Sequence, residues 1–107
     1  MIIKGENLEK KKRGPMIIKG YEINPNFSGA LIEINGAHGK IKCLNEDRIY
    51  FIISGKGKFI INNEKTAISR NDLVFIPKNT PYDIIGKMKY FLICSPEFKP
   101  EDDVFLQ

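Results

Sequence analysis

Short apolar runs recur along this chain at spacings of about 8–12 residues, and strand-breaking residues close each one. Isoleucine fills many of these runs, and β-branched side chains suit a pleated, half-buried surface. The runs predict strands at Ile17–Glu22, Gly29–Ile34, Gly39–Cys43, Arg48–Ser54, Gly57–Asn62, Lys65–Ile68, Leu73–Ile76, Tyr82–Ile85 and Lys89–Cys94. Asn35-Gly36 and Asn62-Asn63 suit turns that need positive φ. Gly55-Lys56-Gly57 permits a tight reversal between two apolar strands, and Asn71-Asp72 and Lys78-Asn79-Thr80-Pro81 mark two further turns. Many short strands at this spacing favour a sandwich or a barrel. Sustained 3.6-residue periodicity is missing. The best helical candidate is the short polar segment Glu6–Lys12, bounded by Pro15.

Length and charge narrow the reading. At 107 residues the chain suits a single domain, because two independent cores would each sit near the lower size limit for folding. Its apolar content of 42% is too high for a disordered segment. No apolar run approaches the roughly 20 residues of a membrane-spanning helix, so no membrane partner is expected. The opening Met1-Ile2-Ile3-Lys4-Gly5 reads as neither secretory signal nor transit peptide, and a cytoplasmic address is expected. The net charge is +4, with much of the excess in Lys10-Lys11-Lys12-Arg13. Aromatic residues do not interleave with that run, so it reads as a solvated loop rather than a nucleic-acid contact. Cys43 and Cys94 lack CxxC spacing and read as reduced thiols. Met-Ile-Ile-Lys-Gly occurs at 1–5 and again at 16–20, and both copies read as edge-strand segments.

Two segments carry the most specific spacing. The first runs Gly36-x5-Lys42-Cys43-Leu44-x3-Arg48-x6-Gly55. The second runs Asn71-x5-Pro77-Lys78-Asn79-x2-Tyr82-x3-Gly86. Fifteen residues separate them. This resembles the paired motifs of the cupin superfamily, G-x5-H-x-H-x3,4-E-x6-G and G-x5-P-x-G-x2-H-x3-N. The likeness covers residues 36–86, with 1–35 as N-terminal strands and 95–107 as a Pro-punctuated, acidic tail. It implies an all-β fold, a small antiparallel jelly-roll-like barrel, often dimeric through its N-terminal strands. Pro77 closes Leu73–Ile76, because proline cannot extend a ladder, and Asn79 replaces a left-handed glycine.

The metal chemistry of the family does not transfer residue by residue. Its two first-motif histidines fall on Lys42 and Leu44, its glutamate on Arg48 and its last histidine on Tyr82. With a loop of four residues the histidine positions become Ile41 and Cys43. Cations repel a divalent metal and leucine cannot ligate, so no metal and no cofactor are expected at that place. A site built instead from His38, Cys43, Glu46 and Asp47 has suitable donors but no supporting spacing. His38 reads as a rim loop residue, Cys43 as facing outward or into a sheet–sheet contact, Cys94 as a small core residue, and Glu46-Asp47 and Asp102-Asp103 as solvated.

Strand alternation gives Lys42, Leu44, Arg48, Tyr50 and Ile52 one parity and one face, with Tyr82 opposite. Two functional readings follow. In the first, Arg48 offers a bidentate fork, Lys42 a point charge and Tyr50 and Tyr82 hydroxyls to an anionic small molecule, a carboxylate, phosphate or sugar phosphate. The competing structural reading pairs Lys42 and Arg48 internally with Glu33, Glu46 or Asp47, or lets them snorkel to the rim. In the second, the cupin resemblance allows a metal-free catalytic barrel, as in the family's sugar-nucleotide epimerases, with Tyr82 as acid but without the histidine base expected of that group. A non-catalytic dimeric scaffold with a vestigial pocket is the third alternative.

Overall fold

Register and burial in the computed structural model, which describes residues 1–106, define one curled antiparallel sheet of nine strands. Gln107, the end of the tail, lies outside the described residues. The strands are β1 (Lys10–Arg13), β2 (Met16–Asn24), β3 (Phe27–Ala37), β4 (Ile41–Cys43), β5 (Asp47–Ile61), β6 (Glu64–Ser69), β7 (Leu73–Ile76), β8 (Tyr82–Ser95) and β9 (Asp103–Phe105). β1, β2, β3 and β8 lie side by side, and β5 takes the other edge of β8. β6 and β7 follow one another along the far edge of β5. β4 meets the start of β8 through Ile41 and Tyr82, and β9 pairs with β4.

The sheet curls into a half-barrel, and a row of glycines marks the bend. Gly36, Gly86 and Gly57 are register partners across β3, β8 and β5. A Cβ on Gly86 would lie 2.5 Å from the Gly57 Cα and 2.6 Å from the Lys56 carbonyl oxygen. The backbones therefore approach more closely there than side chains permit. Two expectations change for this reason. Gly55-Lys56-Gly57 is not a reversal: β5 runs through it, with a bulge between Ile52 and Ser54 and Gly55 at φ 89°. Asn35-Gly36 likewise lies inside β3, and Tyr82–Ile85 and Lys89–Cys94 are parts of one strand. Glycine freedom read as chain reversal serves here as sheet curvature.

Elsewhere the turn chemistry matches. Asn62, Asn63, Asn71 and Asn79 have φ of 49°, 67°, 73° and 65°. β7 stops at Ile76, before Pro77. The polar N-terminal segment is no α-helix. It forms a single 3-10 turn at Gly5–Asn7 and then β1, because the Gly14-Pro15 turn lets Lys10–Arg13 pair with Met16–Lys19. That basic run is exposed as expected, but as an edge strand rather than a loop. Of the repeated pentapeptide, 16–20 lies in β2 and 1–4 lies outside the strands.

The concave face holds the core, with Ile32, Ile34, Ile41, Ile52, Phe59, Ile76, Ile84 and three tyrosines, Tyr50, Tyr82 and Tyr90, all buried. Inward positions in β5 are even before the bulge (Arg48, Tyr50, Ile52) and odd after it (Phe59), because an extra residue flips the faces. The tail packs back on the barrel. Leu44 donates its N–H to Asp102 O (2.9 Å), Leu106 to Lys40 O (2.8 Å), and Asp103 pairs with Cys43. Among the described residues no helix is long and apolar enough to cross a membrane.

Candidate functional site

At the β4–β9 end of the half-barrel a buried arginine organises the surrounding polar groups. Arg48 points inward from β5 and is 3% exposed. Its Nε and Nη2 donate to Glu46 Oε1 at 3.2 and 3.1 Å. Nη2 also donates to Asp103 Oδ1 at 2.6 Å, and Nη1 donates to the Tyr82 hydroxyl at 2.8 Å. Four of its five N–H groups are thereby engaged. The Tyr82 hydroxyl in turn shares a 2.6 Å hydrogen bond with the Tyr50 hydroxyl. Glu46 is wholly buried, and its Oε2 accepts from the Lys99 backbone N–H at 3.0 Å. The Phe98 ring covers the guanidinium, 5.7 Å from its carbon to the ring centre.

The cluster holds one guanidinium against two carboxylates. Burial works against the charged arginine, but the Tyr82, Tyr50 and Asp103 oxygens outweigh it and hold its proton above the usual range. Burial pushes the Tyr50 and Tyr82 hydroxyls up, the latter despite Arg48, so both stay protonated at neutral pH. Burial also pushes Cys43 up and raises Cys94 to about 12. The Tyr90 hydroxyl is buried without a hydrogen-bond partner, its ring edge-on to Tyr50 at 5.2 Å. His38 lies in the β3–β4 loop with its ring stacked over Tyr82 at 6.3 Å.

The structure brings Arg48, Tyr50 and Tyr82 into contact and leaves Lys42 out. Ile41 and Cys43 face the core, 0% and 3% exposed, so Lys42 points away and Leu44 is 45% exposed. The inward placement of Lys42 and Leu44 and the outward placement of Cys43 are thus corrected. The cause is the irregular Leu44–Glu46 loop, which breaks the strand alternation between β4 and β5. Glu46 is a buried partner rather than a solvated turn residue, while Asp47 accepts from the Lys78 N–H at 2.9 Å. Asp103 is likewise an ion-pair partner, 14% exposed, and not solvated tail. Glu46 is the internal partner of Arg48 that the structural reading named, and Asp103 is the residue that sequence reasoning missed. A buried arginine requires an acid, and the acidic tail was the available signal.

The motif positions that hold metal in the resembled family converge here, as Ile41, Cys43, Arg48 and Tyr82. Isoleucine has no lone pair, the arginine is a permanent cation, and burial keeps the Cys43 thiol protonated. This donor set does not fit a divalent metal. Nor are His38, Cys43, Glu46 and Asp47 gathered: among the described residues no three His, Cys, Asp or Glu side chains are grouped to hold one.

No family model matches the chain. An uncharacterised protein of Methanocaldococcus jannaschii is 26% identical over 110 residues, spanning 99% of this chain and 86% of that one. Among solved structures, a tyrosine-to-phenylalanine variant of Streptomyces PAC13 with uridine superposes at TM-score 0.93, with 21% identity over 100% of this chain and 90% of that one. Pac13 is described as a nucleoside dehydratase. KdgF from Halomonas superposes at 0.84 with 13% identity, covering 94% and 96%. Bacillus subtilis oxalate decarboxylase superposes at 0.82 with 15% identity, covering 97% of this chain and 32% of that one. These neighbours are cupin-type barrels, and this chain has the cupin fold.

Proposed function

We propose that this protein binds a small molecule at the β4–β9 end of its half-barrel, without a metal, and that the ligand presents a carboxylate or phosphate to Arg48. The observation that carries this is the Asp103 contact. Asp103 is the most exposed member of the ion-pair cluster, and a three-residue terminal strand delivers it. It marks the kind of group that this face of the guanidinium accepts, while Glu46, anchored by the Lys99 N–H, neutralises the other face. An incoming anion takes the place of the Asp103 oxygen. Lys42 has no part in this reading.

The test is ligand-dependent melting of wild type, Asp103→Asn and Arg48→Lys with inorganic phosphate, acetate and uridine monophosphate. A ligand at a hundred times its Kd stabilises the native state by about 2.7 kcal/mol. Asp103→Asn removes the competing charge and should enlarge the shift, and Arg48→Lys removes the fork and should abolish it. Unchanged melting of wild type and Asp103→Asn with all three probes refutes the reading.

A catalytic reading rests on a separate observation. Because Arg48 Nη1 donates to Tyr82, the Tyr82 oxygen is polarised, and one hydroxyl proton is shared along the 2.6 Å bond between Tyr82 and Tyr50. Two buried, protonated phenols backed by a guanidinium form an acid rather than a base. Turnover of a binding small molecule should fall about 10²-fold or more in Tyr82→Phe. Retention of the wild-type rate removes Tyr82 from any mechanism.

A further inference from the structure

Register divides the convex face of the sheet, opposite the core, into two adjoining fields. The first is apolar and aromatic. One row reads Leu73, Phe51, Phe91 and Leu31 over β7, β5, β8 and β3, and the next reads Phe75, Ile49 and Ile93. Tyr21 of β2 packs against Phe91, with ring centres 5.4 Å apart. Leu73 is 63% exposed, Phe75 54% and Phe51 38%. On the other side of Phe51 and Phe91 the face turns basic. Lys89 of β8 stands in one row with Lys12 of β1, and Lys87 is the partner of Lys56 in the next. Lys58 follows opposite Ile85. All have the parity that points away from the core, since Phe59, Met88 and Tyr90 between them are buried. Lys56 and Lys58 flank Gly57, and Lys87 follows Gly86, so these three stand on the outer crest of the bend.

The arrangement of the cations is costly to the sheet by itself. Lys56 and Lys87 are direct cross-strand partners, and so are Lys10 and Lys19. Like charges directly opposite one another destabilise a strand pair. Lys10, Lys19 and Lys89 also share a shallow depression with Ile17, Leu31 and Glu33. Among the described residues of these rows, seven lysines stand against one acid, Glu33, which lies 4.0 Å from Lys89. That local excess is larger than the net charge of +4 on the whole chain. A polyanion laid along the rows relieves both repulsions at once.

We propose that this face binds single-stranded nucleic acid, with phosphates on the lysine rows and bases on the aromatic row beside them. Lys87, Lys89 and Phe91 occupy consecutive outward positions of β8, about 7 Å apart. A strand lying across β8 and β5 therefore sets its backbone against Lys56, Lys87 and Lys89 while its bases reach Phe51 and Phe91. Stacking on such rings is tolerant of sequence, because every base has a flat face. A duplex hides those faces and leaves the aromatic row unused. A membrane-binding face needs apolar groups that reach past its cations to the acyl chains, and here the longer lysine side chains overtop the rings. Lysines and aromatics do not interleave along the chain, which is why Lys10–Arg13 reads as solvated in sequence. Strand register interleaves them in space.

The experiment is fluorescence anisotropy of a labelled oligouridylate titrated with the full chain, from about 50 to 200 mM salt. The oligonucleotide carries a free 5′ hydroxyl, so that no terminal phosphate is offered to Arg48. With about four phosphates neutralised, log K should fall by about 2.8 per tenfold rise in salt, at about 0.7 per phosphate. The double variant Lys56→Gln, Lys87→Gln should halve that slope. Lys11→Gln with Lys78→Gln removes equal charge from the inner side of β1 and the β7–β8 turn, and should leave the slope unchanged. Phe51→Ala should weaken binding about 5-fold or more at an unchanged slope. If Phe51→Ala fails to fold, the exposed lysine pair decides alone. No binding at about 50 mM salt overturns the proposal. So does an equal change of slope in the two double variants, because the contact is then made by overall charge and not by this face. Duplex RNA bound as tightly as the single strand overturns it too, as does capture by phosphatidylserine vesicles without binding of oligouridylate.

Discussion

Replacing Arg48 by methionine should unfold this protein more effectively than any other single polar substitution in the chain. The change leaves Glu46, wholly buried, with one backbone donor from Lys99, and leaves Asp103 without its partner. Removing one side of a buried ion pair costs about 3–5 kcal/mol, because the remaining charge is uncompensated. Natural domains have about 5–15 kcal/mol in total, so much of the stability goes. At about 4–8 °C per kcal/mol for a domain of this size, the melting temperature should fall by roughly 12–40 °C. The double variant Glu46→Gln, Arg48→Met tests the cause. Glutamine fills the same space, still accepts the Lys99 N–H and carries no charge, so the double variant should be more stable than Arg48→Met alone, by about 1 kcal/mol or more. Urea unfolding followed by far-UV circular dichroism reads all four corners of the cycle. A single-variant cost under about 1 kcal/mol, or a double variant less stable than Arg48→Met, refutes the account of the cluster as a charge-balanced unit.

Three further outcomes follow from the core and the bend. Burial raises Cys94 from its ordinary 9.0 to about 12, so below pH 9 both folded and unfolded chains hold the proton and stability is full. Between pH 9 and 12 the unfolded chain loses it first, and stability should fall by about 1.4 kcal/mol per pH unit from this thiol alone, seen as a declining urea midpoint. A midpoint that rises over that range contradicts the buried-thiol assignment. Gly86→Ala should be severely destabilised or insoluble, since its Cβ meets the Gly57 Cα at 2.5 Å, while Gly20→Ala, with open space around it, should melt close to wild type. Tyr82→Phe leaves Arg48 Nη1 without its hydroxyl acceptor and should cost about 1–3 kcal/mol in the same urea assay, against a smaller loss for Tyr50→Phe.

The strands were legible because their signal is local. Period-two alternation and asparagine turns mark Met16–Asn24, Leu73–Ile76 and the Asn62-Asn63 reversal without reference to the rest of the chain. The glycines were legible as special but not as to purpose. A tight reversal and a sheet bend both call for a residue without a side chain. Only the register of Gly36, Gly86 and Gly57 across three strands distinguishes them. The tail was opaque for a related reason. Three residues carry too little pattern to name a strand, and β9 exists through its pairing with β4, some sixty residues away in sequence.

The site was half legible, and the half that was missed turns on one loop. Motif spacing put Arg48 and Tyr82 near each other, and the structure joins them at 2.8 Å. Parity carried from Arg48 back to Lys42 is valid only along an unbroken strand, and Leu44–Glu46 breaks it. The break does two things at once. It turns Lys42 to the outside and swings Glu46 to the inside, so the second cation expected beside Arg48 is replaced by an anion. A local slip of one position thereby changes the charge of the site from +2 to 0, as Lys42 leaves and Glu46 joins Arg48, and Asp103 from β9 brings it to −1. Chemistry inferred from alternation is therefore only as firm as the connection between the strands that carry it. The charge-balance experiment on Glu46 and Arg48 tests that connection directly, because a solvated Glu46 would leave the double variant no advantage over the single one.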